Sequence, residues 1–348
     1  MKLIKKNQKY FKKISIGYNG RENFFTHVIL PFRDYISSVY SSPPMSLDFS
    51  SARFSPDVFP QELLNLRRNL KSIGIEFNLV YNFDGISDAS IINGLVDIAN
   101  YLEPDIVTVN GTFLIDKFTE LTNYKLNISI INDINSINQL SQLLGRSANI
   151  VSYNIGRRKT FDLGYIKAVR ITYPALKLKL MVNEGCMFEC PDQNFHSCSL
   201  TMANKKPLDL SIFYCHKLLP DQHWRFLAGQ YIPPKFLHNY CDLVDEFKIA
   251  TRGLHLKGLP TESVRNILFQ YINEEDISFK DSMLTSFGGS FFASKYFEDC
   301  GKIVENGSES CDVYQKKYPD DFFEIRKSCS HECYKCNYCK NILNAYGF

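Results

Sequence analysis

Eight short apolar runs, most of them followed by a segment of helical period, constrain this chain more than any other feature. The runs are Ile14–Tyr18, Tyr35–Tyr40, Ile75–Tyr81, Asp105–Asn110, Leu126–Ile131, Asn149–Asn154, Leu176–Val182 and Glu246–Ala250. Helix-like stretches fall between and after them, at Pro60–Ser72, Ile91–Leu102, Phe113–Leu121, Ile134–Leu144, Pro234–Val244 and Thr261–Ile272. Strands that read as near-continuous apolar runs are buried on both faces, which is the condition of a parallel sheet covered by helices. Eight such units predict a (β/α)8 TIM-like barrel. A doubly wound open sheet is the alternative, but no Gly-x-Gly-x-x-Gly follows the first strand. The division expected is a barrel over 1–275 and a cysteine-rich C-terminal appendage over 276–348.

Composition narrows the class. A chain of 348 residues with 45% hydrophobic and 22% charged residues has the balance of a globular protein and can bury a large core. A net charge of +3 is too small to argue for nucleic acid. The basic start, Met1–Lys13, has no apolar stretch behind it, and no run of about 18 apolar residues occurs, so neither a secretion signal nor a membrane span is expected. The expectation is a cytoplasmic protein. In a reducing compartment its 11 cysteines point to metal rather than disulfides.

The seventh run ends in Asn183-Glu184-Gly185-Cys186, with Cys190, Cys198 and Cys215 beyond it in the spacing Cys-x3-Cys-x7-Cys-x16-Cys. Four soft thiolates just past a strand end suit an iron–sulfur cluster or a zinc ion, since thiolates bind both. Catalytic groups of barrels stand at the C-terminal strand ends. That places Glu184 as a candidate acid/base group, with a solvated turn carboxylate as the plain alternative. His196 and His216 lie among the same cysteines. Arg252 and Lys257 follow the eighth strand, where barrels bind phosphates or carboxylates, and Arg53 follows the second. Asn19, Asn82, Asn110, Asn132, Asn154 and Asn183 recur at strand ends, a place asparagine also takes as a turn former. The tail adds Cys329-x3-Cys333-x2-Cys336-x2-Cys339, a pattern for a second cluster or for structural zinc. The Cys-x3-Cys-x2-Cys within it matches radical S-adenosylmethionine enzymes, but those carry it near the start of the barrel. Cys300 and Cys311 are possible replacements for a tail ligand, and Cys241, on a helix-like segment, reads as core.

The segment Asn183-Glu184-Gly185-Cys186 with Cys190-Pro191 and Phe195-His196 resembles the cysteine-bearing segment of the peptidase U32 family. So do Phe247-Lys248-Ile249-Ala250-Thr251-Arg252-Gly253, leading into Leu259-Pro260-Thr261-Glu262, and the early Gly74-Ile75-Glu76-Phe77-Asn78. The resemblance spans roughly residues 14–272. It implies a TIM barrel with a [4Fe-4S] cluster on Cys186, Cys190, Cys198 and Cys215. It further implies oxygen-independent hydroxylation, which some members carry out on tRNA or rRNA bases or on ubiquinone precursors, with prephenate as an oxygen source in some.

Three functions follow as expectations. The first is an iron–sulfur enzyme of redox or hydroxylation type, with Glu184, His196 and Arg252 as catalytic candidates and Arg53 and Lys257 as substrate-binding ones. The second is a peptidase using a metal-activated water or a cysteine nucleophile. The third is a non-catalytic iron–sulfur subunit that pairs with a second chain of the same family. Expected ligands are one [4Fe-4S] cluster or two, with zinc as the alternative in the tail. The substrate is a small molecule or a modified macromolecule. Nucleic acid is not favoured, because the basic residues are dispersed.

Overall fold

A computed structural model describes residues 7–44, 58–82, 89–188, 190–192, 218, 222, 224–251, 259–286 and 316–345. Eight parallel strands close into a barrel in sequence order: β1 (Ile14–Gly17), β2 (Ile36–Ser41), β3 (Glu76–Tyr81), β4 (Ile106–Val109), β5 (Lys125–Ile128), β6 (Ile150–Asn154), β7 (Lys177–Met181) and β8 (Glu246–Ile249). Closure is made by β8 pairing with β1, Ile14 opposite Phe247 and Ile16 opposite Ile249. The (β/α)8 architecture expected from the alternating runs is therefore the observed one.

The helices form because their apolar positions repeat at helical spacing. In Pro60–Ser72 the buried face is Leu63, Leu66 and Leu70, the first helical residue is proline, and Gly74 adopts φ +68° just beyond the end. Proline suits a helix start, where its missing N–H has no partner to lose, and glycine accepts the left-handed turn that leads out. Each leucine so buried contributes on the order of 2 kcal/mol to the core. Two expectations were displaced, one of strand and one of helix. Ile130 and Ile131 leave the fifth strand for a 3-10 turn, because the Ser129 hydroxyl accepts the Ile131 N–H and ends the ladder. Pro234–Tyr240 is 3-10 rather than α-helical.

Inside the barrel runs a polar belt. Ser152 donates to Asn127, Asn127 to Thr108 and Thr108 to Asn78, at 2.7–2.8 Å, all buried. Across the barrel, Ser15 and Ser38 are linked at 2.8 Å, and Ser38 donates to Glu246 at 3.0 Å. Glu246 also meets Lys179 at 2.9 Å and Lys177 at 3.1 Å, and Lys177 reaches Glu76 at 3.2 Å. Thr108 opposite Asn127, and Lys179 opposite Glu246, are register partners, so the belt is a product of strand alignment.

The tail rests on the barrel. Phe322 and Phe323 of the helix Phe322–Lys327 pack on Phe236, and Phe323 also on Phe161 and Tyr240. Ile342 and Leu343 join the same core cluster. Among the described residues no helix is long and apolar enough to cross a membrane.

Candidate functional site

The exit of β7 is held rigidly. The Asn183 amide donates to the Ala250 carbonyl and accepts the Ala250 N–H, both at 2.8 Å, and donates to Thr285 O at 3.1 Å. Other strand-end asparagines do similar work. Asn154 donates to Ile128 O at 2.8 Å, Asn132 accepts the Gly111 N–H at 2.8 Å, and Asn82 accepts the Ser129 hydroxyl at 2.6 Å. These side chains stitch neighbouring strand ends together, which explains their recurrence without any catalytic part.

Directly after Asn183, Glu184 is 1% exposed and forms an ion pair with Arg157, Nε to Oε2 at 3.0 Å. The solvated-carboxylate reading of Glu184 is thereby corrected. Arg157 opens the 3-10 turn Arg157–Lys159 that follows β6, so both members stand at C-terminal strand ends. Gly156 allows the approach, because a Cβ there would lie 2.4 Å from the Ile134 carbonyl oxygen. Burial alone would lower the Arg157 pKa, but Glu184, Cys186 and Asp133 outweigh it and raise it. Arg157 Nη2 is buried and has no hydrogen-bond partner among the described residues. Cys186 and Cys190 are half-buried cysteines.

The tail cysteines converge. Cys329, Cys333, Cys336 and Cys339 line one cavity together with Arg326 and Trp224. Burial pushes the Cys339 thiol up to about 12, with Arg326 opposing and the other three cysteines adding to the rise. His331 stacks on Phe188, ring centroids 3.6 Å apart and planes within 8°, which joins the tail to the Cys186 segment. Burial, then Arg326 and Lys159, lowers the His331 pKa to about 4, so its ring is neutral near pH 7. Beside it a cleft of about 760 Å³ opens between the β6 exit loop and the tail. Arg158, Lys159, Arg326 and Lys327 line it against Asp162 and Glu332. Among the described residues, no group of three or more His, Cys, Asp or Glu side chains is disposed to hold a metal ion.

Of the predicted site residues, Glu184, Cys186, Cys190 and the four tail cysteines are thus placed, and Cys241 is buried at 6% exposure. Arg53, His196, Cys198, Cys215, His216, Arg252, Lys257, Cys300 and Cys311 lie outside the described residues. Sequence reasoning missed Arg157 and Arg326. The signal for the first was the basic run Arg157-Arg158-Lys159 directly after a strand end. For the second there was none, since Arg326 sits in an ordinary amphipathic helix.

No protein-family profile matches the chain. In sequence it is 24% identical over 257 residues to an uncharacterized protease of Methanocaldococcus jannaschii, covering 73% of this chain and 69% of the relative. Among solved structures, a U32 peptidase aligns with TM-score 0.48 and 13% identity, over 69% of this chain and 93% of its own. The orotidine 5'-monophosphate decarboxylase of Sulfolobus solfataricus aligns with TM-score 0.40 and 9% identity, over 76% and 99%. The chain is thus similar in sequence to a protease of M. jannaschii, and its Asn183–Cys190 motif resembles that of the peptidase U32 family.

Proposed function

We propose that this chain is an iron–sulfur enzyme of oxygen-independent hydroxylation or a related group transfer, acting on an anionic small molecule or an anionic part of a larger one. The observation that carries the reading is the buried Arg157–Glu184 pair at the barrel mouth, next in sequence to Cys186. The donor set fits a cluster: Cys186 and Cys190 are half-buried cysteines at a rigid strand exit, and thiolates are the ligands iron–sulfur clusters take. Cys198 and Cys215 complete the proposed set. When bound on four cysteines, the cluster would supply electron transfer.

The chain's own residues do the rest. Glu184 fixes the guanidinium of Arg157 through one edge. That leaves Nη2, buried without a protein acceptor among the described residues, to bind a substrate carboxylate or phosphate oxygen. Glu184 is on this view a positioning residue. The cleft beside the tail, with four cations to two anions, attracts the same class of ligand.

Anaerobic purification followed by iron, sulfide and zinc analysis tests the reading. The Cys186→Ala chain is expected to lose about four irons and four sulfides relative to the parent. An undiminished iron content in that variant overturns it. A second reading, peptide hydrolysis, draws on the description of the M. jannaschii relative as a protease. Peptide cleavage that persists after iron is removed decides for that reading.

A further inference from the structure

We propose that Cys329, Cys333, Cys336 and Cys339 hold a [4Fe-4S] cluster of their own, with Arg326 as its buried counter-cation. Its four ligands are distinct from those proposed at Cys186, although His331 on Phe188 brings the two segments together.

Convergence comes first. The four thiols line one cavity, although Cys333 and Cys336 lie in one helical turn and Cys339 in the next helix, Tyr338–Ala345. Two of the sulfurs are already solvated by backbone. His331 N donates to Cys329 Sγ at 3.3 Å and Tyr338 N to Cys336 Sγ at 3.5 Å. In each case the donor is the second residue after the cysteine, and a left-handed residue makes the turn: His331 at φ 59° and Asn337 at φ 51°. A non-glycine residue in that region costs about 1 kcal/mol, and the turn spends it aiming an N–H at a sulfur. Amide donors of this kind stabilise a metal-bound thiolate, which carries more negative charge than a thiol.

Arg326 is the independent observation. It is 2% exposed, and its Nη2 donates to Ala228 O at 2.9 Å and Gly229 O at 2.8 Å. Its Nε and Nη1 have no acceptor among the described residues, and its guanidinium lies over the Phe161 ring, 4.7 Å from the centroid, with no ion pair among the described residues. A buried cation without an opposite charge is strongly unfavourable, and several kcal/mol per ion is the usual scale. Arg326 nonetheless lines the cysteine cavity. Four thiolates around a core of charge 2+ carry a net charge of 2−, which is the counter-charge Arg326 lacks.

Spacing favours a cluster over a single ion. Structural zinc takes its ligands as two pairs separated by a longer loop. Here all four cysteines fall between 329 and 339 in closely spaced steps, and Cys333-x2-Cys336-x2-Cys339 has the Cys-x2-Cys-x2-Cys spacing of iron–sulfur ligands.

The full chain, purified without oxygen, provides the test. The double variant Cys333→Ser, Cys336→Ser is expected to lose about four irons and four sulfides per chain, while Cys241→Ser, a buried control, loses none. Cys186→Ala keeps the tail's four irons, so failure of the barrel-mouth reading is distinguishable from failure of this one. Unchanged iron in the double variant overturns the proposal, and so does one zinc per chain that the double variant loses. If the double variant is insoluble, Arg326→Gln decides: it retains its iron, and one reduction midpoint moves to a lower potential because a nearby cation is gone. An unmoved midpoint in that variant overturns the proposal.

Discussion

Buried charge occurs in two regions of this molecule, and the two are built differently. In the barrel interior, Glu246 is met by Lys177 and Lys179 and by the hydroxyls of Ser37 and Ser38, while Lys177 also meets Glu76. Two lysines face two glutamates, and the set is electrically closed. At the mouth the charges balance, Arg157 against Glu184, but Arg157 Nη2 is left without an acceptor among the described residues. In the tail the charge itself is open: Arg326 has two carbonyls, two nitrogens without an acceptor and no acid partner among the described residues. Desolvated charge that is fully answered holds a scaffold together. Desolvated charge that is left unanswered marks where something else binds.

The contrast can be broken most forcefully in the interior. Glu246→Gln leaves Lys179, 1% exposed, without its anion, and a loss of about 3–5 kcal/mol in urea unfolding is expected. A loss under 1 kcal/mol would mean that the network is not a scaffold. Acid probes the same group. Burial would raise the Glu246 pKa, but Lys179 and Lys177 overcome it and hold it at about 2 against an ordinary 4.5. Because the folded value is depressed, its stabilisation is complete above about pH 4.5 and disappears as the pH falls towards 2. That amounts to about 3 kcal/mol over the window, and the corresponding slope is absent from Glu246→Gln.

The tail should respond to loading instead. Arg326→Met is expected to cost about 2 kcal/mol more in the iron-loaded chain than in chelator-stripped chain, since only the former presents an anion to it. Equal costs in thermal unfolding would remove the contrast between the regions. The smallest effect calibrates the rest: Lys117→Ala deletes an exposed pair with Glu120 and should cost about 0.2–0.5 kcal/mol.

What was legible in the sequence followed from periodicity and spacing. All eight strands lie within a few residues of the apolar runs, and Pro60–Ser72 and Thr261–Ile272 match their expected limits. The helix Leu163–Thr172 escaped notice because Gly164 sits in its first turn and three β-branched residues, Val169, Ile171 and Thr172, in its last. Its start is nonetheless marked, since the Asp162 side chain caps the Tyr165 N–H at 2.9 Å. The cysteines were visible by type. Arg157 and Arg326 were not, because a functional arginine differs from a surface one only in its burial and its partners. Those are set by Gly156 packing against Ile134 and by the tail folding back on Phe161 and Phe236.

The closure of the barrel has a consequence for the order of biosynthesis. β1 finds its second neighbour only when β8 has been made, and Phe322 and Phe323 reach Phe236 later still. A ribosome therefore holds an open, curled sheet for most of the synthesis, with its first edge unpaired and open to aggregation. The cysteines of the tail, 329 to 339, emerge last, after every strand of the barrel has been made. Whatever the tail binds is therefore met by a chain whose barrel can already close, at the end of translation rather than during it.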